Sequence, residues 1–312
     1  MRGIVSPKLE PFLAQVAIGA QELKDQGIII TPQMTRANLE KLAAFLPQGP
    51  QISLIKDSVL DAGDRAIKVR IYHPAPDKAL PVLLHFHGGG HMCGSIELYD
   101  PVSRQLAHRT QSIVITIDYR LTPEYPYPCG LDDCQFALLN YKQVLSGLNY
   151  TDELILAGDS AGGALCSSLV MKNLQQPQVE IAKQILIYPS VDYSMSTDSI
   201  QENGTGYLLE STKIAFYFKH YFGPNADNQA LIQKASPLQG PFTATMPATL
   251  IITAGCDPLR DEGNAYVNAL DDAGATFTHH QFDDMIHAYM LLQTLVANEC
   301  EKTYQLIEEF VR

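Results

Sequence analysis

Two hydrophobic periods take turns along this chain. Residues 9–25 and 32–46 place apolar side chains at helical spacing, and in the second Leu39, Leu42, Ala43 and Phe45–Leu46 make one stripe. Thr31 suits an N-cap there, and Pro32 suits the first helical position, where a missing N–H is harmless. The period then drops to two. Ile52, Leu54, Val59 and Leu60, followed by Ile67, Val69 and Ile71, predict two strands joined by the turn Asp61–Ala62–Gly63–Asp64. Strand-like runs recur at 82–86, 113–117, 154–157, 184–188, 249–253 and 277–282. Helix-compatible segments at 101–108, 131–145, 164–171, 261–271 and 288–310 separate and follow them. Such alternation after an opening hairpin predicts an α/β fold. Its sheet is mostly parallel, with helices on both faces and an antiparallel edge.

The stretch 191–238 breaks that alternation. A helix expected at 210–221 carries Phe216, Tyr217, Phe218 and Tyr221, flanked by Tyr207 and Phe222. An insertion at the carboxyl end of a sheet strand is where an α/β enzyme gains a cap. Residues 1–46 precede the first strand and are not needed to start a sheet. The expectation is therefore one domain, 1–312, with cap segments at about 1–46 and 191–238. The plainer alternative for both segments is ordinary core packing.

Composition narrows the function. With 46% hydrophobic and 18% charged residues the chain folds as a globular protein. A net charge of −12 argues against nucleic acid and anionic membrane surfaces as partners. Lys8 and Glu10 stand where a secretory signal needs an apolar core, and the six cysteines show no zinc-ligand spacing. They are expected to be free thiols in a reducing cytoplasm. No apolar run approaches the ~18 residues of a membrane span.

The chemistry centres on residues 154–163. A short apolar run enters Gly158–Asp159–Ser160–Ala161–Gly162, and a helix-compatible run leaves it. Strand, sharp turn and helix are the setting in which a Gly-x-Ser-x-Gly serine becomes an exposed nucleophile. By itself the motif also fits a plain glycine-rich connection. Ser160 needs a general base and an orienting carboxylate. Asp257 follows the run ending at Thr253–Ala254, and His287 follows the run ending at Phe282, so the order Ser160, Asp257, His287 suits a hydrolase of this architecture. His279 and His280 fall inside a strand and suit packing or the surface. Asp283 and Asp284 share the loop of His287, Asp118 is expected to cap the Tyr119–Arg120 turn, and Asp159 is expected to bond backbone amides. His87–Gly88–Gly89–Gly90 directly follows the strand at 82–86. Three glycines let backbone N–H groups converge on one point, as an oxyanion hole requires, and the N–H of Ala161 would add a donor.

The chain resembles the hormone-sensitive-lipase-like (family IV) carboxylesterases of the α/β-hydrolase fold. The motifs that carry this are His87–Gly90, Gly158–Gly163, Asp257–Pro258–Leu259–Arg260–Asp261–Glu262, Asp118–Tyr119–Arg120–Leu121–Thr122–Pro123–Glu124 with Pro126 and Pro128, Tyr188–Pro189 and Asp284–His287. They span roughly residues 80–290. The resemblance implies Ser160, Asp257 and His287 as catalytic triad. It implies Gly89, Gly90 and Ala161 as oxyanion donors, with His87 and Gly88 shaping their loop. It also implies hydrolysis of short-chain acyl esters through an acyl-enzyme, with no cofactor and no metal. His91 stands where the family has a large aromatic, and Ala288–Tyr289 where it has Gly-Phe. An imidazole at His91 is expected to titrate near neutral pH. His91, Tyr188, Tyr207, Phe216 and Tyr289 are the candidates for the substrate pocket. A small ester is the expected partner, with no stable membrane association, and a homodimer is left open. Amide, formamide or lactone hydrolysis on the same triad is the main alternative. A non-catalytic binding protein and a metal hydrolase built on His85, His87 and His91 complete the alternatives.

Overall fold

The computed structural model describes residues 1–312. Helices α1 (Glu10–Asp25) and α2 (Pro32–Glu40) come first, and a 3-10 turn, Lys41–Phe45, extends the second. Thr31 caps α2 as expected, accepting from the N–H of Met34. The hairpin β1 (Leu54–Asp61) and β2 (Ala66–His73) follows, and then β3 (Leu80–Phe86), α3 (Ile96–Thr110), β4 (Ile113–Ile117) and α4 (Cys129–Asn140). Next are β5 (Tyr150–Asp159), α5 (Ala161–Gln175) and β6 (Lys183–Ile187). An insertion then carries α6 (Asp198–Glu202), α7 (Ser211–Phe222) and α8 (Gln229–Ala235). The chain closes with β7 (Ala248–Cys256), α9 (Arg260–Asp272), β8 (Phe277–Ile286) and α10 (Ala297–Val311).

Eight strands form one sheet in the order β1-β2-β4-β3-β5-β6-β7-β8. β2 runs antiparallel to both neighbours, and every later pairing is parallel. Side chains alternate between faces along each strand. In β5, Leu154 and Leu156 join Leu165 and Leu169 of α5, whereas Ile155 and Ala157 join Leu98 of α3 and Tyr304 of α10. β7 repeats this, Ile251 facing one layer and Leu250 and Ile252 the other. Both faces are covered, which is why the central strands read as continuous apolar runs.

Two helices start elsewhere than expected. α3 begins five residues before Pro101, because Ser95 in extended conformation accepts from the N–H of Leu98. Pro101 lies inside the helix, at the cost of one backbone bond. The C-terminal helix begins at Ala297, not 288. Ala288 is left-handed at φ 61°, and Tyr289, Met290, Leu291, Leu292 and Val296 are all buried. That density of buried side chains imitates a helical face in the sequence. Asp118 does not cap the turn after β4. Asp133 does so, accepting from the N–H and guanidinium of Arg120.

The segments 1–46 and 191–238 meet each other. Leu39 packs on the cluster of Ile214 and Tyr217 from α7, and Arg2 reaches Tyr207. No helix is long and apolar enough to cross a membrane. All six cysteines are unpaired.

Candidate active site

β3, β5, β7 and β8 all deliver their carboxyl ends to one edge of the sheet, where α/β proteins gather functional groups. β5 ends at Asp159, and the next residue, Ser160, takes φ 54° and ψ −120°, a conformation costly for any side chain. Its N–H donates to the carbonyl of Ile187 at 2.9 Å, and its carbonyl accepts from Ala164 and Ser190. The flanking glycines allow strand and helix to touch. A Cβ on Gly158 would sit 2.4 Å from the Gly162 carbonyl, and one on Gly162 only 1.9 Å from the Phe86 oxygen.

The structure brings Ser160, His287 and Asp257 together. Ser160 Oγ–H donates to His287 Nε2 at 2.8 Å, and His287 Nδ1–H donates to Asp257 Oδ2 at 2.7 Å. A carboxylate accepts only, so it fixes the imidazole proton on Nδ1 and leaves Nε2 free for the hydroxyl. Asp257 Oδ1 is occupied by the N–H of Leu259 at 2.8 Å. Asp257 is 1% exposed and Ser160 9%, so the chain of bonds runs outward from the interior to the more accessible hydroxyl.

The loop after β3 stands beside this chain. The His87 ring is stacked between Tyr99 and Tyr119, and its Nδ1–H donates to the Gly88 carbonyl at 2.8 Å. The N–H of Gly88 donates to Asp159 Oδ1 at 2.8 Å, and the Tyr99 hydroxyl donates to Oδ2 at 2.9 Å. Asp159 therefore holds one backbone amide, as expected, together with a tyrosine. Its carboxyl is pushed up to about 6 by burial, against the opposing pull of Tyr99 and Gly88. Gly89 and Gly90 lie at φ 122° and 62°, and their N–H groups donate to no acceptor in the chain. Ala161 holds the first helical position, whose N–H has no partner within the helix. These are three unused donors close to Ser160 in the fold.

The five pocket candidates are placed differently from one another. Tyr188 packs its ring on His287, with centroids 4.9 Å apart. Tyr289 lies behind it, against Tyr188 and Phe282, with its hydroxyl on Thr303 of α10. Tyr207 is engaged with the N-terminus, its hydroxyl donating to Gly3 O and its face covered by Arg2. Phe216 is half-buried and edge-on to His220. His91 is stacked on Tyr221 at 3.8 Å and bonded to the Tyr193 hydroxyl at 3.0 Å. Burial holds His91 down at about 3, so it does not titrate near neutral pH as the sequence suggests. Tyr217, which the sequence places among the aromatics of the cap helix but not among the five pocket candidates, has ring atoms 2.6–2.8 Å from where a Gly90 Cβ would be. The buried positions Ile214, Tyr217 and Tyr221 fall at i, i+3 and i+7, the pattern that would have marked it.

The other acids and histidines have other partners. His279 Nε2 pairs with Thr253 Oγ1 at 2.9 Å, and His280 packs on Phe282. His85 pairs with Ser103 at 3.1 Å, and no three His, Cys, Asp or Glu side chains converge as metal ligands.

Burial also keeps the His85 and His87 rings low, at about 3 and about 4. A folded value below the unfolded one, near 6.5, favours the folded state most above pH 6.5. That advantage drains away as pH falls towards the folded value. Replacing His91 by Phe is thus expected to flatten the acid loss of stability. The wild-type penalty between pH 7 and 4.5 should exceed that of His91→Phe by about 2–3 kcal/mol, at 1.36 kcal/mol per unit. Urea unfolding at both pH values checks this, and parallel losses in the two proteins would refute it.

The sheet and its strand-to-helix turn define an α/β hydrolase. A family described as having the alpha/beta hydrolase fold matches residues 83–291. Over 306 residues the chain is 31% identical to the esterase LipI of Mycobacterium tuberculosis, covering 95% of this chain and 92% of that protein. It is 29% identical to an ethyl acetate hydrolase of Pseudomonas putida, covering 97% and 98%. The solved esterase of Pyrobaculum calidifontis superposes with a TM-score of 0.84 at 28% identity over 98% of both chains. The chain belongs to the hormone-sensitive-lipase-like ester hydrolases of the α/β-hydrolase family.

Proposed function

We propose that this protein is a serine carboxylesterase acting on short-chain acyl esters through an acyl-enzyme. The observation that carries this is the continuous hydrogen-bonded path from Ser160 through His287 to Asp257. The ester carbonyl oxygen points to the N–H groups of Gly89, Gly90 and Ala161. His287 takes the proton of Ser160 as Oγ attacks the carbonyl carbon, and Asp257 stabilises the imidazolium that forms. The imidazolium then gives its proton to the departing alcohol. A water attacks the acyl-enzyme by the same route and restores Ser160. Each oxyanion donor contributes about 10²–10³ in turnover, because the charge develops where the donors already point. Segments 1–46 and 191–238 form the cap over this site. Tyr217, resting on Gly90, leaves little room beside the oxyanion loop, which favours short acyl groups. Six unpaired cysteines suit a reducing cytoplasm.

The test is a chain-length series of p-nitrophenyl esters run beside an amide and a lactone panel. Highest kcat/KM is expected on acetate or butyrate, and a serine-directed phosphonate should label Ser160 alone. Faster turnover of amides or lactones, or label on another residue, would overturn the reading.

A further inference from the structure

We propose that Asn203, from the insertion after β6, is a positioning residue that fixes the peptide carrying Asp257; this rests on the role given to Asp257 above. Asn203 directly follows the short helix α6, and its side chain is completely buried. Its amide oxygen and nitrogen are both engaged. Nδ2 donates to the carbonyls of Gly255 and Asp257, each at 3.1 Å, and Oδ1 accepts from the N–H of Gly3 at 3.1 Å. One of those carbonyls belongs to the residue whose carboxylate holds His287. The same helix adds a second grip, as Ser199 Oγ donates to Pro258 O at 2.6 Å and the Ser199 N–H to Asp261 Oδ2 at 2.8 Å.

The N-terminal strap closes the arrangement from the other side. A Cβ on Gly3 would lie 2.7 Å from Cys256 Sγ and 2.8 Å from the Gly255 carbonyl, so the strap runs flush against the end of β7. Further on, the N–H of Ser6 donates to Asp284 O at 2.9 Å, near the end of β8. Residues delivering acid and base thus share one strap, and Asn203 ties the strap to the acid. Removing the carboxamide leaves the Gly3 N–H without its acceptor and takes one donor from each carbonyl, so that Gly255 O keeps only Arg260 Nη1 at 3.4 Å and Asp257 O only the Arg260 N–H at 3.1 Å, and a poorly met polar group in a buried place is costly. The Asp257 peptide then turns towards water. A misplacement of ~1 Å near reacting groups is worth about 10² in rate.

The substitutions are Asn203→Ala and Asn203→Ser, the second keeping one donor and a milder change in volume. Turnover of p-nitrophenyl butyrate is normalised to active sites titrated with a phosphonate, so that misfolded molecules do not count. Expected is a fall in kcat of about 10–100-fold for Asn203→Ala, smaller for Asn203→Ser, with KM within about twofold of wild type. In an Asp257→Asn background, Asn203→Ala should lower kcat no further, because residues acting as one unit are not additive. A per-site kcat unchanged in both variants overturns the inference, and so does an equal loss in the Asp257→Asn background. Wild-type turnover by Asp257→Asn alone would instead overturn the assignment of the acid, and this inference with it.

Discussion

Ser160→Ala is expected to lower hydrolysis of p-nitrophenyl butyrate by about 10⁴–10⁶ in kcat, as loss of a nucleophile does where binding and oxyanion donors remain. The fold should persist. The Ser160 hydroxyl bonds to His287 alone, whereas the backbone of the turn is held by Ile187, Ala164 and Ser190. Alanine also tolerates the strained φ no worse than serine does, since both carry a Cβ. The measurement is steady-state turnover beside a thermal melt of the same preparation. Turnover within tenfold of wild type, by a folded variant, would remove Ser160 from the reaction.

Asp257→Asn is expected to cost about 10³–10⁴ in kcat with KM little changed, and the reason lies in the partner of the other oxygen. The N–H of Leu259 needs an acceptor at Oδ1. The asparagine oxygen is drawn there, which turns its NH₂ group towards His287 Nδ1. Nδ1 must then accept, the imidazole proton moves to Nε2, and Nε2 can no longer take the proton of Ser160. The same substitution should slow phosphonate labelling of Ser160 in proportion. A variant that keeps wild-type kcat would mean that Asp257 is not the orienting acid.

Much of this is legible in the chain itself. The central strands lie buried on both faces, so their apolar runs announced themselves. The glycines at 158 and 162 mark a turn that no side chain could enter, and Asp257 and His287 each follow a strand end. Where reading failed, local patterns had two meanings. Pro101 looks like a helix start, yet the capping hydroxyl of Ser95 lies further back. Residues 289–292 look helical because four consecutive side chains are buried there. His91 looks like a titratable group until Tyr221 and Tyr193 are seen to enclose it. Asn203 carries no local signal at all. Its importance comes from carbonyls more than fifty residues onward and a glycine N–H 200 residues back.

That last separation bears on the protein's synthesis. Gly3 leaves the ribosome long before Asn203 exists, and at roughly 5–20 residues per second the interval is about 10–40 s. Asp257 and His287 come later still. The strap around Gly3 is therefore seated only after Asn203 has been made, and the hydrogen-bonded path from Ser160 to Asp257 closes only once β8 has delivered His287.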